Sequence, residues 1–355
     1  MARTPKSGAQ PKRITAVTCV KNEGPFLLEW IAFNRVIGVT DFLFYSNDCT
    51  DGTDEMLDAL AAQGLLTHLP NPAEGRNYQM EALKAAQSHP LVKSADWVWI
   101  ADVDEFLNIH VGEGTIPELI TACDTPHAIS LTFQFMANCD VEAFEDRPVI
   151  EQFTRGHNPD IWTDQLAIEV KTLMRNDFPL QYFGAHRPFF RHNKLAADKW
   201  PRWTDGSGRA VPQKFLIAAN KRRIRKFPAQ GARNFATLNH YALRSLDSYL
   251  VKNDRGDVNR ENRHFDDSYW RERNDDGFKD DSILRYLPRL KAEIARLKAL
   301  DGIGALHDKS VAAHRATRDR LMADEDYAAL ATRLKTLPKT TPPELALMAI
   351  LGIDA

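Results

Sequence analysis

From residue 14 onward, short β-branched or aromatic runs alternate with stretches of helical period. Ile14-Thr15-Ala16-Val17-Thr18-Cys19-Val20 predicts a buried first strand. Lys21-Asn22-Glu23-Gly24 breaks it, and Pro25 suits the first turn of a helix. Phe26, Trp30, Phe33 and Ile37 then recur at helical spacing, with Gly38 as a C-terminal stop. Asp41 to Ser46 reads as a second strand, and the turn cluster Asn47-Asp48-Cys49-Thr50-Asp51-Gly52-Thr53 follows it. A helix to Gln63, a short strand Leu65 to Leu69, a helix from about Arg76 to Gln87 and the apolar strand Trp97-Val98-Trp99-Ile100-Ala101 complete the series.

Strands alternating with helices predict an α/β architecture with a mostly parallel sheet covered on both faces. Ligands of such sheets sit beyond the carboxyl ends of the strands. The turns after strands one, two and four all fall at that edge and so form one candidate site.

Thr115-Ile116-Pro117-Glu118 has the form of a capping box opening a short helix. His127 to Phe133 predicts a fifth strand. Residues 140–240 are less regular, with short strands expected near 169–174, 180–184 and 235–241. From Ser282 on, Leu284, Leu287, Leu290, Ile294 and Leu297 form a helical stripe, and 315–334 and 342–351 also read as helical. The division expected is a basic arm over residues 1–13, a catalytic-type domain over 14–256 and a C-terminal helical region over 257–355.

The 355 residues are 43% apolar and 26% charged, enough for an ordinary core without staples. A net charge of -2 argues against a general nucleic-acid binder. Cys19, Cys49, Cys123 and Cys139 form no CxxC pair, which disfavours a zinc knuckle and fits a reducing compartment. No apolar run approaches the roughly 18 residues of a membrane span, and the basic N-terminus is followed by no apolar stretch of the secretory kind. The expectation is a cytoplasmic protein, with peripheral membrane contact open.

The chemistry concentrates at Asp102-Val103-Asp104, directly after the apolar fourth strand. In an extended segment Asp102 and Asp104 would share one side, and two carboxylates there repel unless a cation intervenes. Mg²⁺ and Mn²⁺ favour oxygen ligands and combine carboxylates with phosphate oxygens. A lone D-x-D triplet is more often solvated surface charge. Its place at the end of a central strand is what raises it to a candidate.

The opening Thr18-Cys19-Val20-Lys21-Asn22-Glu23, with Leu28-Glu29-Trp30 and Gly38-Val39, resembles family 2-like and family 92-like glycosyltransferases. So, in order and spacing, do Ser46 to Thr53, Arg76-Asn77-Tyr78-Gln79, Trp97 to Phe106, Asn239-His240-Tyr241, Arg244-Ser245 and Lys252 to Gly256. The resemblance covers about residues 14–256. It implies the GT-A fold, a Rossmann-like nucleotide half fused to an acceptor half, here with a C-terminal helical appendage.

It further implies a UDP-sugar donor, galactose or glucose being the expected sugar, Mn²⁺ or Mg²⁺ as cofactor, and a saccharide or glycolipid acceptor, as in polysaccharide synthesis. Thr18, Val20, Asn22 and Glu23 would line the nucleoside pocket, with Asn47 and Asp48 at the base or ribose. Arg76 and Gln79 would approach base, ribose or phosphates. Asp102 and Val103 would lie against the nucleotide, and Asp102, Asp104 and His240 would hold the metal. The commonest family 2 pattern has two consecutive acids where Ser46 and Asn47 stand here. Without the resemblance, His240 reads more readily as a satisfied core histidine than as a ligand. Lys252 and Arg255 would balance diphosphate charge, or else form a solvated helix end.

An inverting transferase needs a carboxylate near the acceptor hydroxyl. Asp160, Asp164 and Glu169 are the candidates, and Asp164 is favoured because Trp162 nearby could stack on a sugar; the plain alternative is an exposed acidic loop. Glu105 reads as support for the metal from behind. Lys221-Arg222-Arg223-Ile224-Arg225-Lys226 could meet an anionic surface or acidic saccharide, or be a solvated loop. His186-Arg187-Pro188 and Arg191-His192 are further acceptor-half candidates. Two other classes compete: a sugar-nucleotidyltransferase, disfavoured by the single glycine in Lys21-Asn22-Glu23-Gly24-Pro25, and a non-catalytic saccharide-binding module, disfavoured by intact Asp102, Asp104 and His240.

Overall fold

A computed structural model describes residues 13–75, 77–158, 170–217, 230–256, 267–339 and 342–352. Its first four strands, β1 (Ile14–Val20), β2 (Asp41–Ser46), β3 (Thr67–Pro70) and β4 (Trp97–Ile100), are joined by α1 (Gly24–Val36), α2 (Thr53–Ala62) and α3 (Tyr78–Ser88). They lie side by side in the order β3-β2-β1-β4, with β1 parallel to both β2 and β4 and β2 parallel to β3. This is the Rossmann-like half expected from the alternating pattern. Both faces are covered. Ala16 and Trp99 join one apolar cluster, and Val17 and Val98 join another.

The second half departs from a parallel sheet. Its strands are β5 (Glu105–Ile109), β6 (Ala128–Phe135), β7 (Arg155–Gly156), β8 (Val170–Arg175), β9 (Leu180–Phe183), β10 (Pro188–Phe190), β11 (Trp203–Asp205), β12 (Ala236–His240) and β13 (Phe278–Lys279). The sheet continues from β4 through β8, β6 and β12 to β5, with β11 also on β6. β8 runs antiparallel to β4 and β6, and β12 pairs parallel to β6 and antiparallel to β5. The whole is a mixed α/β sheet, parallel at five of its eight strand pairings among the described residues, with the antiparallel ones all made by β8 and β5.

β5 is the strand the pattern did not reveal. It begins at Glu105, directly after the acidic triplet that read as an extended continuation of the fourth strand. Glu105 N donates to Asp102 O at 3.0 Å, closing a turn that sends the chain from β4 into β5. The chain through Asp102, Val103 and Asp104 is therefore turned and not extended, so the two-residue alternation does not apply to it.

The C-terminal helical region is present as Leu287–Lys298, Ile303–Met322, Glu325–Thr336 and Pro342–Leu351. It packs directly on the Rossmann-like half. Every residue of α1 from Gly24 to Asn34 is buried, and a helix buried all round needs cover on two sides. The sheet supplies one. Leu290, Leu297 and Ile303 supply the other and belong to the same cluster as Trp30, Phe33 and Phe106. The contact is close at one point: a Cβ on Gly24 would lie 2.5 Å from Ser310 Oγ. Arg13, expected at the end of the basic arm, donates to Asp41 Oδ1 and Ser94 Oγ at 3.0 and 2.8 Å; residues 1–12 lie outside the described residues. No helix among the described residues is long and apolar enough to cross a membrane.

Candidate functional site

Three carboxylates meet where β4 turns into β5, and each has a different setting. Asp102 accepts from Gln79 Nε2 on α3 at 3.1 Å and from Lys171 Nζ on β8 at 2.9 Å. Its side chain keeps 38% exposure, so it faces outward between its two partners. Asp104 is nearly enclosed; Lys252 Nζ donates to its Oδ2 at 2.8 Å, and His240 Nε2 stands 3.5 Å from its Oδ1. Glu105 is 1% exposed, accepts from Asp102 N at 3.0 Å and lies 3.4 Å from Lys171 Nζ.

The sheet explains how distant residues arrive here. β12 pairs with β5 so that His240 stands opposite Glu105, and Tyr241 N donates to Asp104 O at 2.8 Å. Phe133 and Phe135 flank the His240 ring at 4.8 and 5.4 Å between centroids. On the other flank, β4 and β8 pair Trp99 with Leu173. Continued by two residues, that register puts Lys171 opposite Ala101, one residue before Asp102.

Burial opposes ionisation of Asp104 and Glu105, and the neighbouring charges decide the result. For Asp104, Lys252 and His240 outweigh burial and hold the carboxyl well below the usual range. For Glu105, burial wins over Lys171, and Asp102 and Asp104 add to it, so its carboxyl is pushed well above the usual range. Burial also works against the charge on Lys171, but Asp102 and Glu105 keep it above the ordinary lysine value.

Asp104, Glu105 and His240 each offer a ligand atom, and these atoms all lie within 4.8 Å of one another. Two hard oxygens and one imidazole nitrogen suit Mn²⁺ better than Mg²⁺, which prefers oxygen throughout. The expected set differs by one member. Asp102 is held by Gln79 and Lys171 and stands outside this group, and Glu105 takes its place. Among the described residues the buried His240 Nδ1 has no hydrogen-bond partner, and Nε2 is the nitrogen that faces carboxylate.

The other expected residues divide. Asn22 binds the second turn to the first: its Oδ1 accepts from Thr50 N at 2.8 Å and its Nδ2 donates to Thr50 Oγ1 at 3.1 Å. Asn47 is buried next to Cys19, while Asp48 is exposed with a left-handed φ of 48°. Thr18 and Val20 point to the core face of β1, 3% and 1% exposed. The residue between them, Cys19, turns toward Asn71, whose Nδ2 lies 3.1 Å from its sulfur, and burial followed by the charge of Asp102 raises its thiol to about 12. Val103 is buried in the core, its carbonyl accepting from Arg244 Nη2 at 3.4 Å.

Glu23 and Arg255 pair with each other. Glu23 receives Arg244 Nη1 at 2.8 Å and Arg255 Nη2, and Arg255 also donates to the carbonyls of Lys21 and Asn22. Arg244 adopts φ 57° and stacks 3.6 Å above the Phe26 ring. This buried Arg–Glu–Arg group clamps the loop after β1 to the late segment around α-helix Leu246–Arg255. Burial alone would raise the Glu23 carboxyl; the two guanidinium groups lower it. Arg187 is likewise absorbed into the fold, stacked on Phe189 and Phe215, and His186 bonds Val170 O at 3.2 Å through Nδ1. Arg191 is exposed, and His192 lies partly exposed beside Trp200, their rings 6.2 Å apart. Arg76, Asp160, Trp162, Asp164, Glu169 and the basic run 221–226 lie outside the described residues.

Lys171 is the site residue that sequence reasoning missed. Its signal was present: a lysine flanked by Val170, Leu173 and Met174 in a segment already read as a strand. A lysine is almost never fully buried unless paired, so such a position asks for a carboxylate.

Residues 15–177 match the family model of glycosyltransferase family 92. Over this stretch the chain is family 92-like. The family 92-like stretch spans β1 to β8 and includes Asp102, Asp104, Glu105 and Lys171, while His240 and Lys252 lie beyond it. A glycosyltransferase family 92 protein of Ricinus communis is 27% identical over 110 residues, 30% of this chain and 19% of that one. One from Arabidopsis thaliana is 30% identical over 104 residues, 28% of this chain and 17% of that one. The aligned stretch thus spans under a fifth of the length of these relatives. Among solved structures, S. aureus TarS 1-349 is similar over 86% of this chain and 90% of that one, at 9% identity and a TM-score of 0.33.

Proposed function

We propose that this chain is a glycosyltransferase that takes a sugar from a nucleoside diphosphate donor, with a divalent cation at Asp104 and His240. The observation that carries the reading is the convergence of Asp104, Glu105 and His240 at the ligand-binding edge of a Rossmann-like sheet, in a family 92-like chain. Bound there, Mn²⁺ or Mg²⁺ would stabilise negative charge on the departing diphosphate.

The protein's own residues supply the rest. Asp102, fixed by Gln79 and Lys171 and open to solvent, is placed to accept hydrogen bonds from the ribose hydroxyls of a donor. Glu105, buried and biased toward its neutral form, is unsuited to take a proton from an acceptor; it braces the turn through Asp102 N. Lys252 is the cation closest to Asp104 and the one placed to meet diphosphate oxygens. The Glu23 group holds the loop after β1 against the late segment, so that Asn22 and the turn from Asn47 to Thr53 keep a fixed relation. The proposed donor is a UDP-sugar, galactose or glucose in the first instance, the acceptor a saccharide or glycolipid, and Asp164 the base of an inverting reaction.

The test is a donor screen: UDP- and GDP-sugars are incubated with the protein and Mn²⁺, and release of nucleoside diphosphate is followed. The reading requires metal-dependent turnover of at least one donor, lost in Asp104→Ala. Equal release from that variant, or none from any donor, contradicts it.

A further inference from the structure

Asp104 presents its two oxygens to two different partners. Oδ2 takes the Lys252 ammonium at 2.8 Å, and Oδ1 faces His240 Nε2 at 3.5 Å, on the side where Glu105 completes the ligand group. Lys252 is additionally seated by Ala242 O at 2.9 Å, and its side chain is 15% exposed. An ammonium and a divalent cation on one carboxylate repel each other, and more strongly at a buried site than in water. A lysine carries its charge on a flexible stem and can exchange one anionic partner for another. A diphosphate brings such a partner.

We propose that Lys252 couples metal to nucleotide: its ammonium on Asp104 weakens binding of a divalent cation alone, and a nucleoside diphosphate relieves this by taking the ammonium onto its phosphate oxygens. The inference rests on the reading that Asp104 and His240 hold the cation. It makes metal and diphosphate bind as a pair. It also assigns Lys252 a positioning role distinct from that of Arg255, whose guanidinium is committed to Glu23 and to the carbonyls of Lys21 and Asn22.

The experiment measures Mn²⁺ binding to the full chain by electron paramagnetic resonance of free Mn²⁺, with and without UDP, against protein-free blanks. In the wild type, UDP is expected to tighten Mn²⁺ binding about tenfold, within the usual range of coupling between sites. Lys252→Met should bind Mn²⁺ alone several-fold more tightly than wild type and lose most of the UDP enhancement. Lys252→Arg, which keeps the charge, should retain weak binding of Mn²⁺ alone. The proposal is overturned if Lys252→Met binds Mn²⁺ alone no more tightly than wild type. Should that variant not fold, wild-type Mn²⁺ affinity that UDP leaves unchanged overturns it equally. If the wild type binds Mn²⁺ neither alone nor with UDP, it is the underlying metal reading that fails.

Discussion

At the scale of single residues, the candidate site is a problem of charge neutralisation. Asp102, Asp104 and Glu105 sit within one turn, and Lys171 and Lys252 enter from two different elements to balance them. Lys171 is buried between Asp102 and Glu105, so removing its ammonium takes from Asp102 its charged partner and from Glu105 the cation that opposes its neutral form. Breaking a buried pair from one side typically costs about 3–5 kcal/mol. Lys171→Met is therefore expected to lower unfolding free energy by roughly that amount in urea titrations, and Lys171→Met with Glu105→Gln to recover part of it. A loss under about 1 kcal/mol would place the pair among weak surface bridges.

Glu29 poses a similar problem, with the Arg244 charge too weak to offset its burial. It lies buried on α1 and accepts from Val149 N and Ile150 N at 2.8 and 3.3 Å. Burial raises its carboxyl to about 7 against those two hydrogen bonds. The folded state then holds the proton more tightly than the unfolded chain, so the stability from this group is complete below the ordinary carboxyl value and is lost as pH rises toward 7. Between pH 4.5 and 8 the loss is on the order of 3 kcal/mol. Glu29→Gln should remove that part of the slope, seen as a smaller fall in melting temperature over this interval. An unchanged slope would assign it to other groups.

At the scale of elements, the regular pieces were legible because local chemistry decides them. Pro25 opens α1, and Thr115 with Glu118 opens the helix Ile116–Ala122, where Glu118 Oε2 accepts from Thr115 N and Oγ1 at 3.0 and 2.8 Å. Glu118→Ala is expected to cost about 1 kcal/mol, the usual value of such a cap. β5 was not legible. Its first residue continues an acidic run, and its strand character comes from pairing with β12, more than a hundred residues later. The turn that leads into it, closed by Glu105 N on Asp102 O, replaces the extended geometry expected for Asp102 and Asp104. The helical stripe around Leu290 was visible, but its partner was not, because α1 already looked complete against the sheet. Leu290 is fully buried in the main core, so Leu290→Ala should cost about 2–5 kcal/mol, while an exposed appendage would tolerate the change.

At the scale of the whole molecule, the sequence pattern identified the Rossmann-like half and the edge where its strands end, since alternating strands and helices leave few arrangements open. It could not reveal that β8 and β6 run antiparallel, because that order depends on connections through irregular segments. Of the candidate residues, Asp104 and His240 converge as expected, and Gln79 joins them by way of Asp102. Glu23 and Arg255 instead serve each other across 232 positions, a partnership no local pattern contains. Family 92-like sequence and the metal-type cluster meet at the same edge, and the central claim is that this edge binds a nucleoside diphosphate through a cation. The most direct test is thermal unfolding of the full chain with UDP and GDP, each with and without Mn²⁺. The account predicts a nucleotide shift that requires Mn²⁺, about 3 kcal/mol at a hundredfold excess over the dissociation constant, and its disappearance in Asp104→Asn. No shift with either nucleotide in the presence of Mn²⁺, or the same shift in Asp104→Asn, would contradict it.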